Sequence, residues 1–435
     1  MSHSLYMSAI ITLRTEKTFK IEVEVPYSRN MLDGEECLQR CLNEAGAAAT
    51  KELLEQFDTD GSPILLGSTK LTAKSEKEAK LFQTPYGEIE ISRFVYQTSK
   101  GGRTYIPLDI NGRIINTSTP KFAKMITSKY TSDGAPGVQR DFEENHNRSV
   151  ALSFIKNMSD SVGAIAEAKE EDWTYQLPEM PRKIASISVG IDGTCLNMIE
   201  DGWREAMCGS IALFDRKGER MHTIYAGMSP EYGKETFFNK MDSAINDIKK
   251  LFPNTPVIGL ADGAASNWGF LSERADILTV DFWHFTEYLA KAANAMFPKK
   301  NQHEEKEIWL ANACHDAKHK KGAVSRLLKE MKNFFESNKM TTQDKKDLAS
   351  TITYLTNYKG KMQYYKNTAL NMPIGSGVTE SACKSLVKMR MCKGAARWKN
   401  NGASVVLTLR SLHMTHGRWD QFWNKYSQYG FSAST

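Results

Sequence analysis

Two short apolar runs, each closed by an Asp-Gly step, constrain this chain more than any other feature. Ile184-Ala-Ser-Ile-Ser-Val-Gly-Ile-Asp192 is followed by Gly193, and Val257-Ile-Gly-Leu-Ala-Asp262 by Gly263. Near-continuous apolar runs of this length read as strands buried on both faces, and such strands need helices above and below the sheet. Residues 208–216 and 219–228 read as two further strands around Lys217-Gly218. Residues 236–252 form an amphipathic helix with Phe237, Met241, Ile245, Ile248 and Leu251 on one face. A helix over 267–275 follows, then a fifth strand, Ile277-Leu-Thr-Val-Asp281, which leads through Phe-Trp-His284 into a helix over 286–296. The order predicts an α/β fold: a three-stranded meander, then strands reached through helical crossovers, in one mixed sheet. Residues 298–372 are lysine-rich and helical without strand signal, so they read as an all-helical insertion. Gly375-Ser-Gly-Val-Thr-Glu380 then opens a helix over 381–391.

If the strands ending in Asp192 and Asp262 are neighbours, both acids leave the sheet at one edge. Glu380 sits near the start of a helix able to cross that edge. Three converging carboxylates need a counter-charge, and carboxylate oxygens suit hard divalent cations. Two such ions can clamp the attacking and leaving oxygens of a phosphoryl displacement. The intervals are 70 and 118 residues, the second containing the insertion. Each acid taken singly also fits a purely structural turn.

The N-terminal part has a different texture. Residues 8–25 alternate as two strands, and 33–57 carry helical periodicity. The short apolar stretch from Leu5 to Leu13 reads as strand rather than leader, having neither a basic region before it nor a small-residue cleavage site. Tyr86 to Tyr96 alternates, and Lys100-Gly-Gly-Arg103 reads as a hairpin turn. Residues 1–116 therefore form a small α+β module. Residues 117–176 read as helices over 121–130, 138–145 and 149–168. The last two are joined by a short turn with Ser149 as the N-cap candidate, which fits a helix-turn-helix-like DNA-binding region and equally a plain bundle. In the first reading Lys156 and Asn157 face a major groove. Leu177-Pro-Glu-Met-Pro-Arg-Lys183 reads as a linker, and 184–435 as the sheet-bearing domain.

Charge is uneven. The net charge is +6, but residues 1–297 hold 33 Lys+Arg against 41 Asp+Glu, while 298–435 hold 24 against 10. Residues 381–435 carry nine basic residues and one acid, Asp420. Lys384, Arg390, Lys393, Arg397, Lys399 and Arg418 beside a phosphodiester site would hold backbone phosphates; a solvated lysine-rich surface gives the same count. Seven cysteines without a CxxC pair suggest reduced thiols in a cytoplasmic setting. No apolar run is long enough to span a membrane.

The blocks SVGIDGTCL (188–196), LADGAASNW (260–268), VDFWHFTEYLAKAA (280–293) and IGSGVTESACKSLVKMRM (374–391) resemble DDE transposases of the ISKra-type bacterial insertion sequences. So do QTPYGEIEISRFVYQ (83–97), GVQRDFEENHNRSVA (137–151) and RWKNNGASVVLTLRSL (397–412). The resemblance implies a ribonuclease-H-like catalytic core, two Mg²⁺ or Mn²⁺ ions, and Asp192, Asp262 and Glu380 as triad and metal ligands. It implies strand cleavage and transfer on double-stranded DNA, at terminal inverted repeats and a target. Synapsis of two ends implies a homodimer or higher oligomer. A structure-specific nuclease and a non-catalytic DNA-binding repressor are the alternatives. Asp281-Phe-Trp-His284 resembles the acid-x-x-His signature of Mutator-like and hAT-like transposases, which implies His284 near the scissile phosphate; a satisfied core histidine is the other reading.

Other motifs carry less. His315 and His319 have metal-sharing spacing but no fourth ligand, so they read as solvent-facing. Trp419, Phe422 and Trp423 recur as a helix's core face, with base stacking as the alternative. No P-loop occurs, and Gly375-Ser-Gly lacks a nucleophile elbow's spacing.

Overall fold

The structure is a computed structural model describing residues 9–169, 172–263 and 265–430. It divides into two units, one of Met1–Gln176 with Arg418–Thr435, the other of Leu177–Gly417.

In the first unit, β1 (Ala9–Arg14) and β2 (Phe19–Val23) pair as an antiparallel hairpin. Residues 5–8 of the expected first strand lie outside the described residues. Helix α1 (Met31–Glu55) starts at Asn30, whose side chain accepts from Asp33 N at 2.9 Å. Then come β3 (Ile64–Leu66), β4 (Thr69–Ala73), β5 (Glu78–Gln83), β6 (Glu88–Arg93), β7 (Tyr96–Thr98) and β8 (Gly101–Tyr105). They make a sheet of order β3-β4-β7-β8 and a separate β5-β6 hairpin. The alternating run from Tyr86 to Tyr96 is thus split at residue 94, where Phe94 N turns to the Asp58 carboxylate.

Helices α2 (Pro107–Asn111), α3 (Pro120–Ser132), α4 (Ala135–His146) and α5 (Leu152–Lys169) follow. Phe122, Ile126, Phe142, Ile155 and Met158 are buried between the last three. Helix α5 begins at Leu152, later than the Ser149 cap expected from sequence. The reason is local: Arg148 N caps Phe142 O, Gln139 donates to Val150 O, and Val150 is buried, so 148–150 stay extended.

The C-terminal helix Arg418–Tyr429 corrects a domain boundary. The sequence reading carried the sheet-bearing domain to residue 435, but this helix belongs to the first unit. Trp419, Phe422, Trp423 and Tyr426 are buried there, Phe422 with its ring centre 5.5 Å from that of Trp173. Arg113 donates to the carbonyls of Ser427 and Gln428 at the helix end. These aromatics are core, not a stacking surface.

The second unit is mixed α/β around one mixed sheet. Its elements are β9 (Ile184–Met198), β10 (Gly202–Asp215), β11 (Arg220–Met228), α6 (Glu235–Leu251), β12 (Val257–Ala261), α7 (Ala265–Ser272), β13 (Ile277–Val280) and α8 (Phe282–Met296). The insertion supplies α9 (His303–His319), α10 (Ala323–Ser337), α11 (Thr342–Tyr358) and α12 (Tyr364–Ala369). Helix α13 (Gly377–Ala382) runs on through a π-helical segment, Cys383–Lys388, into α14 (Met389–Met391), and α15 (Asn400–Met414) closes the unit. Strand order is β11-β10-β9-β12-β13, with β9 to β11 antiparallel and β12 and β13 parallel to β9.

Residue parity along the strands decides which helix meets which face. Gly209 faces Met241 and Phe237 of α6, whereas Gly190 and Ser210 face Thr379 of α13. The outer edge of β11 is closed by α15: Gly227 N donates to Ser411 Oγ at 2.9 Å and Tyr225 N to Thr415 Oγ1 at 3.1 Å. No described helix is long and apolar enough to cross a membrane.

Candidate metal centre

Asp192 does not end its strand. Strand β9 continues to Met198 because β10 pairs with it throughout, Asp192 lying opposite Cys208. It is β12 that stops, at Ala261. The pairing of β12 with β9 runs from Val257↔Ile187 to Leu260↔Gly190. Carried two residues further, that register sets Asp262 level with Asp192, where neighbouring strands are about 4.8 Å apart. With β12 gone, the Ile191 carbonyl is taken by Asn267 Nδ2 of α7 at 3.3 Å. Asp262 and Gly263 lie beyond the sheet, and helix α11 holds their backbone. Tyr354 Oη donates to Asp262 O at 3.0 Å, and Tyr358 Oη to Gly263 O at 2.7 Å. Gly263 has φ +148, open to glycine alone at little cost.

Helix α13 crosses the sheet face at Gly190. Thr379 Oγ1 lies 2.8 Å from Ser210 Oγ, both residues buried. One turn on, Cys383 Sγ donates to Asp192 Oδ2 at 3.4 Å, while Asp192 Oδ1 accepts from Gly193 N at 2.7 Å. Hydrogen bonding to Cys208, burial and the Asp192 charge hold the Cys383 thiol far above its usual pKa, so it stays protonated. The π-helical turn frees carbonyls. Arg410 of α15 takes two of them, Leu386 O at 2.6 Å and Ser385 O.

Among the described residues, Asp281, His284 and Glu380 are the group of three whose ligand atoms lie within 4.8 Å of one another. Asp192 and Asp262, expected as ligands beside Glu380, are not members of this group. His284 Nδ1 bonds Glu287 Oε2 at 2.9 Å, which leaves Nε2 turned towards Glu380 Oε1 at 3.9 Å. The pKa of Glu380 is raised by burial, then by the charges of Asp281, Asp192 and Glu287, against a lowering from His284. That of His284 is also raised: burial pulls it down, but the Glu287 hydrogen bond and the charges of Asp281, Glu287 and Asp262 outweigh it. His284 thus feels the charges of Asp281, Glu287 and Asp262, and Glu380 those of Asp281, Asp192 and Glu287. Two carboxylates and an imidazole with their ligand atoms this close make a donor set that fits a divalent cation.

The expected DNA-contacting residues separate. Lys156 and Asn157 are exposed on α5, and Lys384, Lys393, Arg397 and Lys399 are exposed in the second unit. Arg390 is not available as expected. It is buried, its guanidinium 5.4 Å from the ring centre of Trp398. That ring is fixed by Nε1 donating to Met391 O at 2.8 Å and by the backbone bridge to β9. Arg418 belongs to the first unit, its guanidinium 4.5 Å from the Tyr175 ring centre. His315 and His319 are exposed, as read.

Sequence reasoning singled out the Asp281-x-x-His284 signature but gave a role to His284 alone, and it missed the tyrosines 354 and 358 and the Thr379–Ser210 tie. No local signal marks the tyrosines, whose partners lie 92 and 95 residues away. No family model matches the chain, and no curated protein matches it at a significant level.

Proposed function

We propose that this protein is a metal-dependent DNA strand-transfer enzyme, a DDE-type transposase acting at the terminal inverted repeats of an insertion sequence. The observation that supports the reading is the parallel pairing of β9 with β12, whose register, extrapolated two residues past Leu260↔Gly190, would put Asp192 and Asp262 at one level near the helix that bears Glu380. A strand order of β11-β10-β9-β12-β13 is what a ribonuclease-H-like core requires, and the insertion before the last acid agrees with the resemblance in sequence.

Asp192, Asp262 and Glu380 would hold two Mg²⁺ or Mn²⁺ ions, which when bound neutralise charge and activate first water and then a freed 3′-hydroxyl. The chain's own groups do the rest. His284, its Nδ1–H engaged by Glu287, can donate from Nε2 to a phosphate oxygen when the ring is protonated. Lys384, Lys393, Arg397 and Lys399 offer phosphate contacts that position the duplex. Helices α3 to α5, with Lys156 and Asn157 outward, are the candidate end-binding element. Bridging two ends would require at least a dimer.

The test uses purified full-length protein and DNA carrying the flanks of its own reading frame. Mg²⁺- or Mn²⁺-dependent cutting and joining of a pre-cleaved end to a plasmid are expected. Asp262→Ala should abolish both while DNA binding survives. Cutting without joining would leave a nuclease, and DNA binding without either reaction in the unmodified protein would leave a repressor.

A further inference from the structure

Asp281 is fully buried, and a buried carboxylate is costly unless its oxygens are occupied. Its two oxygens take backbone N–H groups from two different helix starts. Oδ1 accepts from His284 N at 2.8 Å, capping α8, and Oδ2 accepts from Ser376 N, the residue that precedes α13. The backbone around it makes a third and a fourth tie. Asp281 N donates to Ala261 O at 3.0 Å, one residue before Asp262, and Phe282 N donates to Ile374 O at 3.0 Å. Three separate segments therefore meet at Asp281 and its neighbour, the side chain joining two of them and the backbone the third. They are the segments that carry Asp262, His284 and Glu380.

We propose that Asp281 is a positioning residue, whose carboxylate joins the starts of α8 and α13 and thereby sets His284 and Glu380 relative to each other in the metal centre. The inference rests on the function proposed above. An asparagine here keeps the shape and one acceptor, but it turns a donor towards one of the two N–H groups it must satisfy. Ser376→Pro is the complementary change. It deletes the N–H that meets Oδ2 and sets the ring Cδ against that oxygen, while Asp281 keeps its carboxylate, and it suits a residue with φ −84 outside the helix proper.

The experiment measures Mn²⁺ affinity of full-length wild type, Asp281→Asn and Ser376→Pro by electron paramagnetic resonance, with end cleavage followed against Mn²⁺ concentration. Loss of a residue that orients metal ligands typically weakens binding about 10–100-fold. Both variants are expected in that range, with cleavage partly regained at high Mn²⁺. A general loss of fold would not be regained in that way, and thermal melts without metal identify it. If Asp281→Asn loses the metal while Ser376→Pro binds it as wild type does, Asp281 is itself a ligand and the positioning role fails. Unchanged affinity in both reduces Asp281 to a helix cap. Wild type that binds Mn²⁺ but neither cuts nor joins DNA overturns the proposed function alone, because the affinity comparison still stands. Wild type that binds no Mn²⁺ overturns both.

Discussion

Gly190 offers the sharpest test of how the site is assembled. A Cβ added there would lie 1.9 Å from Thr379 Oγ1 and 3.1 Å from Thr379 Cβ. The oxygen cannot turn aside freely, because it is bonded to Ser210 Oγ, and Ser210 is 1% exposed. Rotating Thr379 strands a buried hydroxyl, at about 1–3 kcal/mol. Withdrawing α13 by more than an ångström costs about the same, as overpacking generally does. Alanine in a strand returns only about 0.5–1 kcal/mol relative to glycine. Gly190→Ala should therefore destabilise the second unit by about 1 kcal/mol, a fall in Tm of roughly 2–4 °C for a unit of this size. Glu380 adjoins Thr379, and an ångström of misplacement at a catalytic group costs on the order of 100-fold in rate, so end cleavage should suffer more than stability. The assay is urea unfolding of Gly190→Ala, Thr379→Ala and the double variant. Removing the oxygen relieves the worse contact, so the double variant should be more stable than additivity requires, by about 1 kcal/mol. A Gly190→Ala protein that melts with wild type, or two changes that simply add, would refute the close approach of α13.

Two further outcomes are expected. Tyr358→Phe removes the hydroxyl that holds Gly263 O, costing about 1 kcal/mol of stability and about tenfold or more in Mn²⁺ affinity. A metal titration that matches wild type would deny α11 any part in placing Asp262. Glu380 has its pKa raised above the usual 4.5 by burial and neighbouring acids, so a proton competes with metal there. Mn²⁺ affinity should rise with pH through that raised range and level off above it, and Glu380→Gln should flatten the profile; a wild-type affinity that is flat from pH 4.5 to 7 contradicts the assignment.

The sheet was legible because buried strands announce themselves as apolar runs, and the meander followed by two crossover strands predicts the mixed α/β unit that is found. Asp262 was legible at a strand end. The position of Asp192 within its strand was not, because β9 is prolonged by its partner β10 rather than by anything in its own sequence. Arg390 and Arg418 look alike in the sequence. Only the structure tells them apart: Arg390 is buried against Trp398 in the second unit, and Arg418 lies over the Tyr175 ring in the first. The Arg418–Tyr429 helix shows its aromatic face plainly, yet nothing in it says which unit that face will join.

The same distinction explains why the insertion matters to the centre. Register fixes a residue only while its strand is paired, and β12 gives up its last pairing before Asp262. Past that point two tyrosine hydroxyls from α11 substitute for the missing ladder bonds, and their helix is held in turn by Tyr354 stacking on Tyr288 of α8, centroids 3.7 Å apart and planes 8° from parallel. Helix α8 starts at Asp281 and carries His284. The insertion and the acid-x-x-His turn therefore brace each other across the open end of the sheet. A bare five-stranded sheet would fix β12 only as far as Ala261 and leave the Asp262 backbone without the tyrosine bonds that hold it here.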